Sequence, residues 1–276
     1  MSVENRVESL LAVIRDIGPM VVAFSGGVDS ALLAVAAAKA LPADQVLAAT
    51  ADSASLATGE LEHCRALTSD WGIAWHAVVT AELADPRYVA NDADRCYWCK
   101  SALMDQLEPL AAARGATVTL GVNLDDLGDH RPGQRAAAER GARFPLVEAG
   151  LTKAHIRAIA REWGLSVWDR PAMPCLSSRL PYGTAVSVPL LSRIDRAELV
   201  LRQLGFADVR VRHYDDTARI ELPPEDLARA GSNATAIVDG LSPLGYRYIT
   251  LDLAGLRSGN LNHAVTTPTV ATAVDS

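Results

Sequence analysis

The sequence predicts an α/β fold, a doubly wound parallel sheet followed by a second, smaller α+β domain. Three observations carry this expectation. Short apolar runs alternate with helix-patterned stretches through the first half of the chain. A glycine-rich turn, Ser25-Gly26-Gly27-Val28-Asp29-Ser30, stands between one such run and a helix. The hydrophobic content, 49% of 276 residues, is enough to bury one large core and one small one.

Taken in order, Glu4 to Ile17 places Val7, Leu10, Leu11, Ile14 and Ile17 on one helical face, so an amphipathic helix leads into a first strand, Met20 to Phe24. Beyond the turn, Ala31 to Ala40 is helix-like. Two adjacent glycines let the backbone approach an anion closely, and Ser25, Ser30 and the N–H groups of the helix start supply donors, which suits a nucleotide phosphate. A strand at Gln45 to Thr50, a helix at Thr58 to Trp71 and a strand at Ala74 to Val79 extend the order to β-α-β-α-β. A polar stretch, Asp85 to Asp94, precedes Arg95-Cys96-Tyr97-Trp98-Cys99-Lys100, which opens a helix running to about Ala113. A fourth strand, Thr117 to Val122, ends at Asn123-Leu124-Asp125-Asp126. Ligands of parallel sheets gather at the carboxyl ends of the strands, so this acidic turn and the Ser25 turn are expected to face one pocket.

Arg131-Pro132-Gly133-Gln134 starts a short helix, and Thr152 is the expected cap of a helix from Lys153 to Trp163 that Gly164 ends. Asp169 to Val188 reads as a proline-rich loop around Cys175. Leu190, Ile194, Ala197, Leu201 and Leu204 then define a helix ended at Gly205, and strands at Asp208 to His213, Ala218 to Leu222 and Tyr246 to Leu251, with a helix at Ala234 to Leu241, form the α+β domain. The expected organisation is a first domain over 1–170, a cysteine-bearing linker over 171–189, a small domain over 190–262 and a disordered tail over 263–276.

The balance of 26 Lys plus Arg against 33 Asp plus Glu, net −7, argues against a protein given mainly to nucleic-acid binding. No apolar run approaches the roughly 18 residues needed to span a bilayer, and Met1 to Asn5 has no signal-peptide pattern, so a cytoplasmic protein is expected. There the four cysteines read as core, metal-binding or redox residues rather than disulfides.

Cys96 and Cys99 form a C-x-x-C at a helix start, which by itself fits a redox pair, half a zinc site or two ligands of an iron–sulfur cluster. Cys64 falls in line with Leu61, Leu67 and Trp71 and reads as a core residue. The remaining three, two close together and Cys175 in a distant rigid loop, suit a [4Fe–4S] cluster with one iron left open to hold sulfide. A competing reading takes Cys175 as a lone nucleophile with Arg179 nearby. Between Lys153 and Arg219 eleven Lys plus Arg face seven Asp plus Glu, a local basic excess. Arg210 and Arg212 alternate along a strand and so share a face able to grip a phosphate.

The Ser25 turn lacks the Lys-Ser/Thr ending of a Walker loop and is not a G-x-G-x-x-G fingerprint. It resembles the SGGxDS signature of the PP-loop ATP pyrophosphatases, a resemblance that implies cleavage of ATP between its α and β phosphates and adenylation of a carbonyl oxygen. With Arg95 to Lys100, Gly121 to Asp126 followed by Arg131-Pro132-Gly133, Cys175 to Gly183, Arg210 to His213 and Asp252 to Asn262, the chain resembles the LarE family of ATP-dependent sulfur transferases over nearly its whole length. That resemblance implies conversion of the carboxylates of pyridinium-3,5-biscarboxylic acid mononucleotide to thiocarboxylates, in biosynthesis of a nickel-pincer nucleotide cofactor. One branch of the family sacrifices a cysteine for its sulfur and leaves dehydroalanine. Another holds a [4Fe–4S] cluster on three cysteines, and Cys96, Cys99 and Cys175 match this second branch.

Carried over residue by residue, the resemblance assigns Ser25, Gly26, Gly27, Asp29 and Ser30 to ATP, with Asp29 a contact to Mg2+, and Asp125 and Asp126 to the neighbourhood of the nucleotide. Lys100 stands near the reacting carboxylate, and Ser178, Arg179, Glu198, Arg210, Arg212 and Glu221 form the pocket for the substrate phosphate; Glu198 could equally pair with Arg202 four residues on. The sequence departs from the family pattern at Phe144 and Leu256, where serine and tyrosine are expected. A homo-oligomer, a hexamer by resemblance, is expected, and the sulfide donor is not specified. Two rivals are a tRNA thiolase with the same cluster cysteines, which the negative charge and the lack of a basic aromatic RNA module oppose, and a non-catalytic adenine-nucleotide binding module.

Overall fold

The computed structural model describes residues 2–128 and 132–257. The chain divides into two compact units, Met1–Val89 with Asp94–Cys175 and Ala90–Ala93 with Leu176–Ser276. The arginine at 131, residues 258–262 of the final motif and the tail expected to be disordered lie outside the described residues. Among the described residues no helix is long and apolar enough to cross a membrane.

The first unit is built on a four-stranded parallel sheet: β1 (Met20–Ala23), β2 (Val46–Asp52), β3 (Ala74–Val79) and β4 (Thr117–Leu120), in the order β3-β2-β1-β4. Val21 pairs with Leu47 on one side and Val118 on the other, which makes β1 a central strand. Successive side chains of a strand point to opposite faces, and the apolar runs use both. Met20, Val22, Val46 and Ala48 join one core cluster with α1 (Val3–Ile17), α2 (Val28–Ala40), α3 (Glu60–Asp70) and Ile156, Ile159 and Ala160. Val21, Leu47, Ala49, Val118 and Leu120 join a second cluster with Leu103, Met104 and Leu107. Helices therefore cover both faces, as a doubly wound α/β sheet requires.

The short α4 (Pro86–Val89) precedes α5 (Arg95–Ala112), which carries the second cluster; α6 (Pro132–Glu139), α7 (Pro145–Glu148) and α8 (Lys153–Glu162) complete the unit. α2 is buried on all sides, and its alanines at 31, 34, 36 and 37 keep it slim enough to lie between the sheet and its neighbours α1 and α8. It starts at Val28, inside the glycine-rich turn rather than at Ala31, so Asp29 and Ser30 sit in its first turn. The expected strand from Thr117 to Val122 pairs only as far as Leu120. There Leu120 N–H donates to Arg143 O, the Val122 N–H turns back to Leu120 O, and Gly121 runs against α2.

The second unit has a three-stranded mixed sheet, β5 (Arg210–Tyr214), β6 (Thr217–Glu221) and β7 (Tyr248–Leu251), with β5 and β6 antiparallel and β7 parallel to β6. α9 (Val188–Gln203) lays Ala197 and Leu201 on Phe206, Val211, Ala218 and Ile220, and α10 (Leu227–Ser232) and α11 (Ala234–Leu241) close the core with Ala230, Ile237 and Leu241. The short polar segment 90–93 belongs to this unit. Asn91, fully buried at φ 54°, donates from Nδ2 to the carbonyls of Pro181 (2.7 Å) and Thr184 (2.9 Å).

A Cβ on Gly121 would lie 2.7 Å from Ser30 N and 2.9 Å from Asp29 C, both backbone atoms with no room to yield. Gly121→Ala is therefore expected to cost about 1–3 kcal/mol in a urea denaturation midpoint experiment. A variant as stable as the parent would show that β4 and α2 can separate freely.

Candidate active site

The turn between β1 and α2 is shaped by its own side chains. Ser25 N–H donates to Ser30 Oγ (3.2 Å), and Ser30 Oγ donates to Gly27 O (3.1 Å), which closes the loop over the first turn of α2. Gly26 takes φ +70°, and a Cβ there would press on Cys64 Sγ at 3.0 Å and His63 Cδ2 at 3.1 Å. Arg170 donates to Gly26 O (3.3 Å) and pairs with Glu60 (2.7 Å), so the turn is held from behind. The first N–H groups of α2 lack intrahelical acceptors by construction and form a site for an anion. Cys64 is fully buried and its thiol is pushed up to about 11, chiefly by burial, in keeping with a core residue.

Asp29 is tied to the acidic turn. Lys153 Nζ pairs with Asp29 Oδ2 at 2.5 Å, and Asn123 Nδ2 donates to Asp29 Oδ1 at 3.4 Å. The Lys153 backbone N–H donates to Asp125 Oδ2 (2.8 Å), while Asp126 Oδ2 accepts from Asn123 N–H (3.1 Å). The strand-end turns thus meet through Lys153, a residue that the sequence reading missed. The signal for it was present: a lysine in the first turn of a helix opposes the helix dipole, and such a position needs a carboxylate.

A cavity of about 270 Å³ opens beside the turn. Ser25, Ser53, Glu82, Cys99, Lys100 and Cys175 line it, with apolar walls from Ala23, Phe24, Leu56, Leu103 and others. Asp29, Asp125 and Asp126 are not among its lining residues. Cys96 is exposed at the start of α5, where Gly133 of α6 comes so close that a Cβ would meet Cys96 O at 3.0 Å. Burial, and then the neighbouring Cys175, push the Cys99 thiol up to about 12. Burial works against the charge of Arg95, yet Cys175 and then Cys96 more than offset it and raise its pKa. Cys96 and Cys175 thus lie beside the buried Arg95, while Cys99 lies near Cys175, Cys96 and Lys100. Among the described residues no three His, Cys, Asp or Glu side chains converge as they would on a single metal ion.

The phosphate pocket expected in the second unit is internally charge-paired. Arg179, 1% exposed, donates to both oxygens of the fully buried Glu198 (2.8 and 3.2 Å), which also accepts from Arg202 (2.9 Å) and Val211 N–H (3.1 Å). Arg212 pairs with Glu221 (2.9 Å) and donates to Ser178 O (2.6 Å), and Arg219 takes the other Glu221 oxygen (3.1 Å). Glu198 joins Arg202 as the spacing of four predicts, and it holds Arg179 as well. Arg210 is different: it donates to Arg257 O (3.2 Å), and burial, then the charges of Arg179 and Arg212, lower its pKa against the opposing effect of Glu221 and Glu198. Glu198→Ala would leave Arg179 buried without its partner and is expected to cost about 3–5 kcal/mol in urea denaturation. Arg202→Ala, which removes the more exposed partner, should cost under about 1 kcal/mol. Equal losses would mean that Arg179 finds another acceptor.

No protein-family model matches the chain. It is 46% identical over 266 residues to an uncharacterized protein of Synechocystis, covering 95% of this chain and 99% of that one. It is 25% identical over 248 residues to an uncharacterized protein of Methanocaldococcus jannaschii, covering 87% of this chain and 91% of that one. It is also 37% identical over 265 residues to the pyridinium-3,5-bisthiocarboxylic acid mononucleotide synthase of Lactiplantibacillus plantarum, covering 96% of each chain. On that likeness over 96% of its length, the chain belongs to the LarE family.

Proposed function

We propose that this protein is an ATP-dependent sulfurtransferase that converts carboxylates of pyridinium-3,5-biscarboxylic acid mononucleotide to thiocarboxylates. One observation carries the reading: Ser25 of the phosphate turn, Lys100 and two of the three cysteines, Cys99 and Cys175, line the same cavity. A site that activates a carboxylate and a site that delivers sulfur must meet at one carbon atom, and here they share one wall.

The chemistry divides into two displacements. A carboxylate oxygen of the substrate attacks the α-phosphorus of ATP, the bond to the bridging oxygen breaks, and pyrophosphate leaves on the side of the Ser25 turn. Ser25, Ser30 and the first N–H groups of α2 hold the departing charge, and Lys100 offsets the charge of the attacking carboxylate. Asp29 would hold the accompanying Mg2+, which would neutralise phosphate charge, and Lys153, which pairs with Asp29, stands beside the same place as a further cation for the phosphates. In the second displacement a sulfur nucleophile attacks the acyl carbon, the bond to AMP breaks, and the thiocarboxylate and AMP leave.

The donor set on the sulfur side fits a cluster. Cys96 and Cys175 both act on the buried Arg95, Cys99 lies near Cys175 and Cys96, and burial of Cys99 disfavours its thiolate unless a cation stands beside it. These three residues would hold a [4Fe–4S] cluster, which when bound supplies sulfide beside the activated carboxylate. In the second unit, the positive charge left around Arg210, with Ser178 and Arg212 beside it, supports binding of the substrate phosphate.

Cys175→Ser separates the two displacements. It is expected to keep substrate-dependent pyrophosphate release within a few-fold while thiocarboxylate formation falls by on the order of 10²-fold or more, measured anaerobically on reconstituted protein. Lys100→Ala should lose both. Mass analysis of wild-type Cys175 after turnover reports the sulfur source: an intact residue supports relay, and loss of H2S supports sacrifice of Cys175 itself. Pyrophosphate release that does not depend on the pyridinium substrate would overturn the assignment.

A further inference from the structure

Glu82 is the least explained charge in the first unit. It follows β3 in a short turn, is 2% exposed, and accepts from Ser53 Oγ through Oε1, while Oε2 is buried with no hydrogen-bond partner. A buried carboxylate oxygen left in this state costs free energy that a native structure normally recovers through a partner. Protein cations do not provide one. Lys100 lines the same cavity without pairing with Glu82, and Arg87, on the wall of a neighbouring cavity that Glu82 also lines, is held by Asp85 (2.8 Å) and lies 3.6 Å over the Trp98 ring.

We infer that Glu82 is a substrate-recognition residue, the counter-charge for the pyridinium ring of the substrate while Lys100 faces its carboxylate. The inference rests on the function proposed above. A pyridinium nitrogen bonded to ribose is positively charged at every pH, and a flat, weakly hydrated organic cation suits a cavity walled by Phe24, Leu56 and Leu103. A hard divalent ion would need several oxygen ligands, and among the described residues no group of acids converges with Glu82 to supply them. The arrangement also explains how one small cavity reads a zwitterionic ring: a cation and an anion stand in its wall, one for each charge of the ligand. A neutral aromatic carboxylate would leave Glu82 unpaired and be rejected by that desolvated charge.

The test compares two ligands of one shape, a pyridinium-3-carboxylate mononucleotide and its 1,4-dihydro form, which has the same substituents and no ring charge. Calorimetric titration of the full-length protein should give at least about tenfold tighter binding of the charged form. Glu82→Gln, which keeps an acceptor for Ser53, should abolish that preference and leave ATP affinity unchanged. Glu82→Asp, with its charge withdrawn by one methylene, should give an intermediate preference and serves if the glutamine variant does not fold. Equal binding of the two forms by the wild type, no binding of either, or an equal loss for both in Glu82→Gln overturns the inference. Pyrophosphate release by the wild type with the biscarboxylate substrate is read in parallel. Release with no charge preference sinks the role of Glu82 alone, and no release sinks the proposed reaction.

Discussion

The close approach of Gly121 to the first turn of α2 is the constraint on which the rest of the first unit depends. Two backbones meet there at a distance that no side chain allows, so the carboxyl end of β4 and the amino end of the phosphate helix behave as one piece. From that contact the acidic turn inherits its place: Asn123 reaches Asp29, and Lys153 spans from Asp125 to Asp29. Gly26 plays the same part on the other side of the turn, where Cys64 and His63 fill the space that a side chain would take and Arg170 holds the carbonyl. An anion site made of backbone N–H groups is only as exact as the backbone that presents them. Packing therefore fixes its geometry before any ligand arrives.

The charges of the first unit are arranged for exchange rather than for stability. Lys153 and Asp29 are each partly exposed, so their ion pair contributes little to folding and can be broken cheaply. The cysteine side follows a similar rule. Cys99 is buried where a thiolate is disfavoured, an effect that Lys100 only partly opposes, and Arg95 is itself buried beside Cys96 and Cys175. Burial thus weighs against the charged form of Cys99 more than its neighbours favour it.

Much of this was legible in the sequence, for identifiable reasons. Alternating apolar runs give the strands because both faces of a doubly wound sheet are covered, and Ala74 to Val79 and Ala234 to Leu241 fall where periodicity puts them. The Ser25 turn and the C-x-x-C are local in sequence and so announce themselves. Lys153, Glu82 and Asn91 do not, since each owes its role to partners far along the chain: Asp29, Ser53 and the carbonyls of Pro181 and Thr184. The basic excess between Lys153 and Arg219 shows the same limit. The carboxylates that pair with Arg179 and Arg212 come from a helix and a strand that only folding brings beside them.

The two units together separate structural charge from functional charge. In the second, the buried carboxylates Glu198 and Glu221 each take two guanidinium groups, and Glu198 also a backbone N–H, so their desolvation is offset within the fold. Arg210 is what that pairing leaves over, a half-buried cation beside Arg179 and Arg212 that donates to the Arg257 carbonyl and is in none of these ion pairs. In the first unit Glu82 stands in the opposite state, a buried anion with one oxygen satisfied and one not. Each unit thus keeps one charged group that its own ion pairs do not fully answer. The residues that folding leaves uncompensated are therefore a better guide to what this chain binds than the residues that merely carry the most charge.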